Sequence, residues 1–265
     1  MSVTLDQPDL AQSTDVAVQL SGVAKVFGHG RDAVTALENV DLTVAPGEFV
    51  CLLGASGCGK STMLNLVAEL DAPTTGTITR NTTRPAVMFQ DPALMPWLTA
   101  GRNVELALRL AGFPRTGRRE KAAELLKLVR LEGQERKRPH ELSGGMRQRV
   151  ALARSLASTH RTGAEDRPAL LLMDEPFAAL DAMTKDVMQG ELLRIQAQLQ
   201  SSVLFVTHDV REAVRLGQRI VLLSSRPGRV VREWQDTPDE DSPDLVDEIN
   251  AKLREVISTH ARKSA

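Results

Sequence analysis

Two short stretches of this chain are built to hold phosphate. In LGASGCGKST, the residues Gly54, Ala55, Ser56, Gly57, Cys58, Gly59, Lys60 and Ser61 fit the pattern G-x-x-x-x-G-K-[ST], with Thr62 following. Glycines let the backbone turn its N–H groups onto an anion, Lys60 can reach the β and γ oxygens, and Ser61 can hold Mg²⁺. In ELSGGMRQRV, Ser143 followed by Gly144 and Gly145 opens a helix-forming run, a second capped helix start of the kind that binds anions. One nucleotide does not need both. Between them in function stands LLLMDEP, an apolar run ending in Asp174-Glu175. A strand that ends in a carboxylate places Asp174 beside a metal, and Glu175 can take a proton from attacking water. Such a positioned base contributes about 10²–10⁴ in rate.

These residues need a scaffold that brings distant strand ends together. The apolar runs EFVCLL, ALLLM, SVLFVT and RIVLLSS suit strands buried on both faces of a parallel sheet. The glycine loop leads from the first of them into a helix expected over about 60–70. Two short β patterns are expected between Val16 and Val44, and two more near GTITR and AVMF. From Asp91 to about Ala157 the character changes to apolar residues at three-and-four spacing, the mark of helices. That predicts a helical lobe, about 91–157, inserted into an α/β domain. AMTKDVMQGELLRIQAQLQ reads as a further helix between strands. Strand–helix alternation implies a doubly wound, mostly parallel sheet with its ligand at the C-terminal strand ends.

Composition narrows the class. The chain has 265 residues, a formal net charge of −1 and 25% charged residues, so no basic field draws it to nucleic acid. No apolar run approaches the roughly 18 residues of a membrane span. The N-terminal MSVTLDQPDL is acidic and lacks a signal peptide's basic start, so a cytosolic protein is expected. Cys51 and Cys58 match neither a zinc knuckle nor a disulfide framework and read as reduced thiols. Because Cys58 stands in the glycine loop, a thiol-alkylating reagent is expected to inactivate the chain, with bound nucleotide protecting. Residues 1–15 read as a flexible lead, 16–235 as the main domain, and 236–265 as an acidic linker with a short C-terminal helix.

The ordered set of glycine loop, Gln90, LSGGM, LLLMDEP, AALD and THD resembles the ATP-binding subunit of ABC transporters. The likeness spans about 16–235. It implies a P-loop ATPase cassette with a mostly parallel core sheet, a small antiparallel β subdomain and a helical lobe. It further implies that two cassettes face each other head to tail, so that Ser143, Gly144 and Gly145 close over the partner's nucleotide. By the same likeness Asp181 would lie at the dimer interface and Phe27 would stack on adenine. Ser61, Gln90 and Asp174 would hold Mg²⁺. Gln90 and His208 would assist Glu175 in hydrolysis.

LMPWLTAGRNV and SSRPGRVV are similar to importers of the nitrate, sulfonate and taurine group. That likeness implies transmembrane permease subunits docked on Met95, Pro96 and Trp97, a solute-binding protein, and a peripheral place on the cytoplasmic face of the membrane. An exporter cassette and a non-transport ATPase acting on ribosomes or DNA are the alternatives. The short stretch between the first helix and Gln90 suggests a reduced antiparallel subdomain. The polar loop at about 158–168 is longer than the family's usual one.

Overall fold

The structure, a computed structural model, describes residues 16–82, 85–159, 169–235 and 243–263. Residues 1–15, residues 160–168 of the polar loop and residues 236–242 of the acidic linker lie outside it. In chain order the first elements are β1 (Val18–Phe27), β2 (Val34–Val44), β3 (Phe49–Leu53), α1 (Lys60–Val67), β4 (Thr75–Arg80) and β5 (Ala86–Met88). Three helices follow, α2 (Ala100–Leu110), α3 (Arg118–Leu128) and α4 (Gly144–Ser158). The remainder comprises β6 (Leu170–Asp174), α5 (Ala182–Leu199), β7 (Ser202–Val206), α6 (Val210–Leu216), β8 (Arg219–Leu223), β9 (Val230–Gln235) and α7 (Pro243–Lys263).

A six-stranded sheet in the order β5-β6-β7-β3-β8-β9 carries the molecule. All its pairings are parallel except β8 with β9. Every residue of β3, β7 and β8 is buried, as their unbroken apolar runs require. Their side chains alternate between two cores. Phe49, Cys51, Leu53, Phe205 and Leu222 face one, together with residues of α2, α4 and α5. Val50, Leu52, Leu204, Val206 and Val221 face the other, with α1 and the buried residues of β1 and β2. Period-two strands thus support a different layer on each face.

The second layer is an antiparallel sheet in the order β2-β1-β4. Despite the short stretch before Gln90, β4 pairs with β1 from Thr75 to Arg80, so the antiparallel subdomain has three strands. β1 and β2 are also longer than expected, at 10 and 11 residues. β9 was not expected as a strand. Its sequence VVREWQ is half polar because it is the antiparallel edge, where only Trp234 is buried. The C-terminal helix is not short either: α7 spans 21 residues. Its Ile249 is buried in the core, while Glu248 accepts a hydrogen bond from Trp234 Nε1 at 3.0 Å. Asp244, Asp247 and Glu248 therefore belong to a packed helix and not to a linker.

Candidate active site

The parallel strands end on one edge of the sheet, and each delivers a residue there. Gln90 follows β5, Asp174 ends β6 with Glu175 next to it, and His208 follows β7. The glycine loop follows β3 and Arg226 follows β8. All of them line one cleft of about 520 Å³, joined by Phe27 from β1 and Ala36 from β2.

The glycine loop is held by close packing. A side chain at Gly54 would place its Cβ 2.7 Å from Cys58 Sγ, and one at Gly59, which has φ 105°, would come within 2.8 Å of Ala36 O. Ser56, Gly57, Gly59, Lys60, Ser61 and Thr62 line the cleft. Gly54 and Ala55 serve from behind. Their carbonyls accept hydrogen bonds from Lys60 Nζ at 2.7 and 3.0 Å, so the ammonium is anchored at the base of the loop.

Cys58 corrects the expectation of a reactive thiol. It is 1% exposed and turned inward, against the backbone of Gly54. Burial pushes its thiol pKa up against the opposing pull of Lys60, and burial raises that of Cys51 further. Thiolate is the nucleophile, so both cysteines should be slow targets. We expect iodoacetamide at neutral pH to label neither within minutes in the native chain, and both once the chain is unfolded, as read by mass spectrometry. Rapid native labelling of Cys58 would contradict this placement.

Across the cleft, burial raises the pKa of Asp174, while a hydrogen bond from the Ser61 hydroxyl and the charge of Lys60 oppose that shift. Among the described residues no three His, Cys, Asp or Glu side chains converge into a metal cluster. A carboxylate and a hydroxyl beside a phosphate cradle fit Mg²⁺, which favours oxygen ligands and shares them with substrate phosphates.

Glu175 has φ 46°, a left-handed conformation costly for a residue with a Cβ. Its N–H bonds Val206 O at 3.0 Å, tying it to β7. The carboxylate Oε2 meets His208 Nδ1 at 3.2 Å and accepts from Gln90 Nε2 at 3.4 Å. Residues from three strand ends therefore converge on one oxygen.

The other expected residues stand elsewhere. Ser143 caps α4, accepting from Met146 N at 3.2 Å, and is exposed outside this chain's own cleft. Gly144 begins that helix. A Cβ at Gly145 would lie 3.0 Å from Leu180, which brings α4 close to the start of α5. Asp181 caps α5 through Thr184 N at 2.9 Å, and hydrogen bonds from Thr184 lower its carboxyl pKa. Met95, Pro96 and Trp97 form a loop on the helical side, with Trp97 69% exposed.

Several residues that position this site escaped the sequence analysis, because their partners are remote in the chain. Asn103, fully buried, donates to the carbonyls of Met95, Leu98 and Thr99 and accepts from Met95 N at 2.8 Å. Arg154 donates to Pro92 O and Ala93 O, both at 2.7 Å. Gln148 on α4 reaches Gln90 O at 3.4 Å. Beside His208, Lys185 of α5 pairs with Asp209 at 2.8 Å and with buried Glu212 at 3.3 Å. Glu212 also accepts from Gln189 Nε2 and from the Thr207 hydroxyl.

Burial opposes ionisation of Asp209, yet the hydrogen bond and charge of Lys185 with two backbone N–H groups carry its pKa below the usual range. That stabilisation is present above the unfolded pKa of about 3.9 and is lost as pH falls through the lower folded value. Lys185→Met removes the cation and leaves Glu212 buried against fewer partners. The expected loss is about 2–3 kcal/mol at pH 7, shrinking toward pH 3, read by urea melts across that range. A loss that stays constant with pH would refute the pairing.

A glycine loop with a downstream Asp-Glu at the C-terminal edge of a mostly parallel sheet defines a phosphate-loop nucleoside triphosphatase. The comparisons place it more closely. A family model described as ABC transporter matches residues 37–178. The nitrate import ATP-binding protein NrtD of Synechocystis sp. is 46% identical over 223 residues, 82% of this chain and 81% of that protein. The taurine import ATP-binding protein TauB of Burkholderia pseudomallei is 47% identical over 216 residues, 79% of this chain and 80% of that protein. Among solved structures, the dimeric ATP-binding cassette MJ0796, in a post-hydrolysis state bound to ADP and Pi, superposes with TM-score 0.72. It is 36% identical and covers 82% of this chain and 98% of that one. This chain belongs to the ABC transporter family and is one of its ATP-binding, ATP-hydrolysing cassettes. No helix among the described residues is long and apolar enough to cross a membrane.

Proposed function

We propose that the chain energises import of a small anion of the nitrate, sulfonate or taurine kind, by closing as a head-to-tail dimer on ATP. One observation carries the dimer: the Ser143 helix start is exposed and outside its own chain's cleft. An anion-binding helix terminus facing outward suits a nucleotide held by a second copy, with the partner's Lys60 behind the phosphates. A single terminus contributes only about 0.3–1 kcal/mol to an anion, so closure depends on ATP and many donors together. Loss of the γ-phosphate then removes the bridge and lets the dimer open.

Within each cleft, backbone N–H groups of the glycine loop and Lys60 hold the phosphates, and exposed Phe27 stacks on adenine. Ser61, Asp174 and Gln90 would hold Mg²⁺, which when bound would supply positive charge against the phosphates. Glu175 accepts the proton of the attacking water, with Gln90 and His208 holding its Oε2 in place. Asp181 lies between the two sites.

The membrane partner sits on Met95, Pro96 and Trp97, at the cytoplasmic face, and a solute-binding protein completes the importer. Support comes from the exposed Trp97 and from the names of the similar importers. Deleting the gene should abolish uptake of one radiolabelled oxyanion or sulfonate, with restoration by the wild-type copy. Unchanged uptake of all of them would overturn the import reading. Trp97→Ala should leave ATP affinity within about twofold and lower co-purification of the permease at least tenfold, the scale of a hot-spot loss. Full assembly and transport in that variant would remove the loop from the interface.

A further inference from the structure

The loop between β8 and β9, within the SSRPGRVV stretch, carries an arginine into the nucleotide cleft to which the sequence motifs assign no role. Arg226 lines it together with Phe27, Ala36 and the glycine loop. Its side chain is exposed, and among the described residues no carboxylate lies within ion-pair distance of its guanidinium. The neighbouring cations of the same segment are spent: Arg229 pairs with Glu38 at 2.7 Å and Arg219 with Glu48 at 2.7 Å. An unpaired guanidinium facing a polyanion site calls for a partner.

The backbone that presents it is stapled on both sides. Ser224 Oγ donates to Pro227 O at 2.6 Å and accepts from Arg229 N at 2.9 Å. Gly228 N donates to Ala36 O at 2.8 Å, and Glu38 N donates back to Gly228 O at 3.0 Å. A Cβ at Gly228 would lie 2.2 Å from Cys58 O, so the loop rests directly on the glycine loop. A rigid mount of this kind lowers the entropy cost of using the arginine as a ligand.

Strand order decides which part of the nucleotide it meets. Gln90, Asp174, Glu175 and His208 come from β5, β6 and β7, all on one side of β3, whereas β8 lies on the other. Arg226 therefore approaches from the side opposite the hydrolytic carboxylates. We propose that Arg226 is a nucleotide-binding residue, pairing with the phosphates nearer the ribose, and that it sets affinity without entering the hydrolytic step. The proposal rests on the cleft being the ATP site.

Titration of wild-type, Arg226→Gln and Arg226→Lys chains with fluorescent ATP and ADP in Mg²⁺ tests it, alongside kcat at saturation and a thermal melt. In Arg226→Gln, Kd for ATP and ADP should each rise about tenfold, as for one lost charge-assisted contact. The salt dependence of binding should weaken, kcat at saturation should fall by much less than Kd rises, and the melting temperature should hold. Arg226→Lys should recover part of the affinity. Unchanged Kd for both nucleotides, with the wild type binding normally, would overturn the assignment. So would a defect confined to ATP or to kcat, which would put Arg226 at the γ-phosphate. If the wild-type chain bound neither nucleotide, the cleft reading and this inference would fall together.

Discussion

Glu175→Gln should hydrolyse ATP about 10²–10⁴-fold more slowly than the wild type while binding it as well or better. The substitution keeps the shape of the side chain. A glutamine carbonyl can still accept from Gln90 Nε2 and meet His208 Nδ1, the contacts made by Oε2 at 3.4 and 3.2 Å. It cannot accept a proton at neutral pH. The left-handed backbone at Glu175 is unchanged by the swap, so geometry and affinity persist while the base is gone. Single-turnover hydrolysis within about fivefold of wild type would show that another group takes the proton.

The second large effect is on binding. Lys60→Ala should weaken ATP by at least about a hundredfold, since a phosphate-facing ammonium makes charge-assisted contacts that alanine cannot. Lys60 is 6% exposed and donates to Gly54 O and Ala55 O, so its loss also frees two carbonyls at the base of the loop. A modest drop in melting temperature should accompany the loss of affinity. Lys60→Arg should not rescue it, because a planar guanidinium does not fit the place of a compact ammonium. Retention of wild-type affinity in Lys60→Ala, by equilibrium dialysis, would remove Lys60 from the phosphate site.

Much of this architecture was legible because its carriers are local. FVCLL, LLLM, VLFV and IVLL are unbroken apolar runs, and each lies in a strand of the main sheet. The glycine loop and Asp174-Glu175 announce themselves by residue type at fixed spacing. What escaped depends on partners far along the chain. Arg154 holds the loop at Ala93 across 61 residues, and Gln148 meets Gln90 across 58. No local pattern encodes such pairs. β9 was missed because an antiparallel edge tolerates Arg232 and Glu233 where a central strand would not. Cys58 was misjudged for a related reason. Its place in the loop is a matter of sequence, but the side it faces depends on Gly54, whose missing side chain leaves the room that Cys58 Sγ takes.

The central claim is that each nucleotide is held by two copies, one lending its glycine loop and the other its Ser143 turn. Sedimentation of Glu175→Gln with ATP, with ADP and without nucleotide addresses it most directly, with the double variant Glu175→Gln/Ser143→Arg as control. Dimers are predicted with ATP alone, and monomers throughout when Ser143 is replaced. A monomer with ATP at high concentration, or a dimer indifferent to both nucleotide and Ser143, would contradict the account.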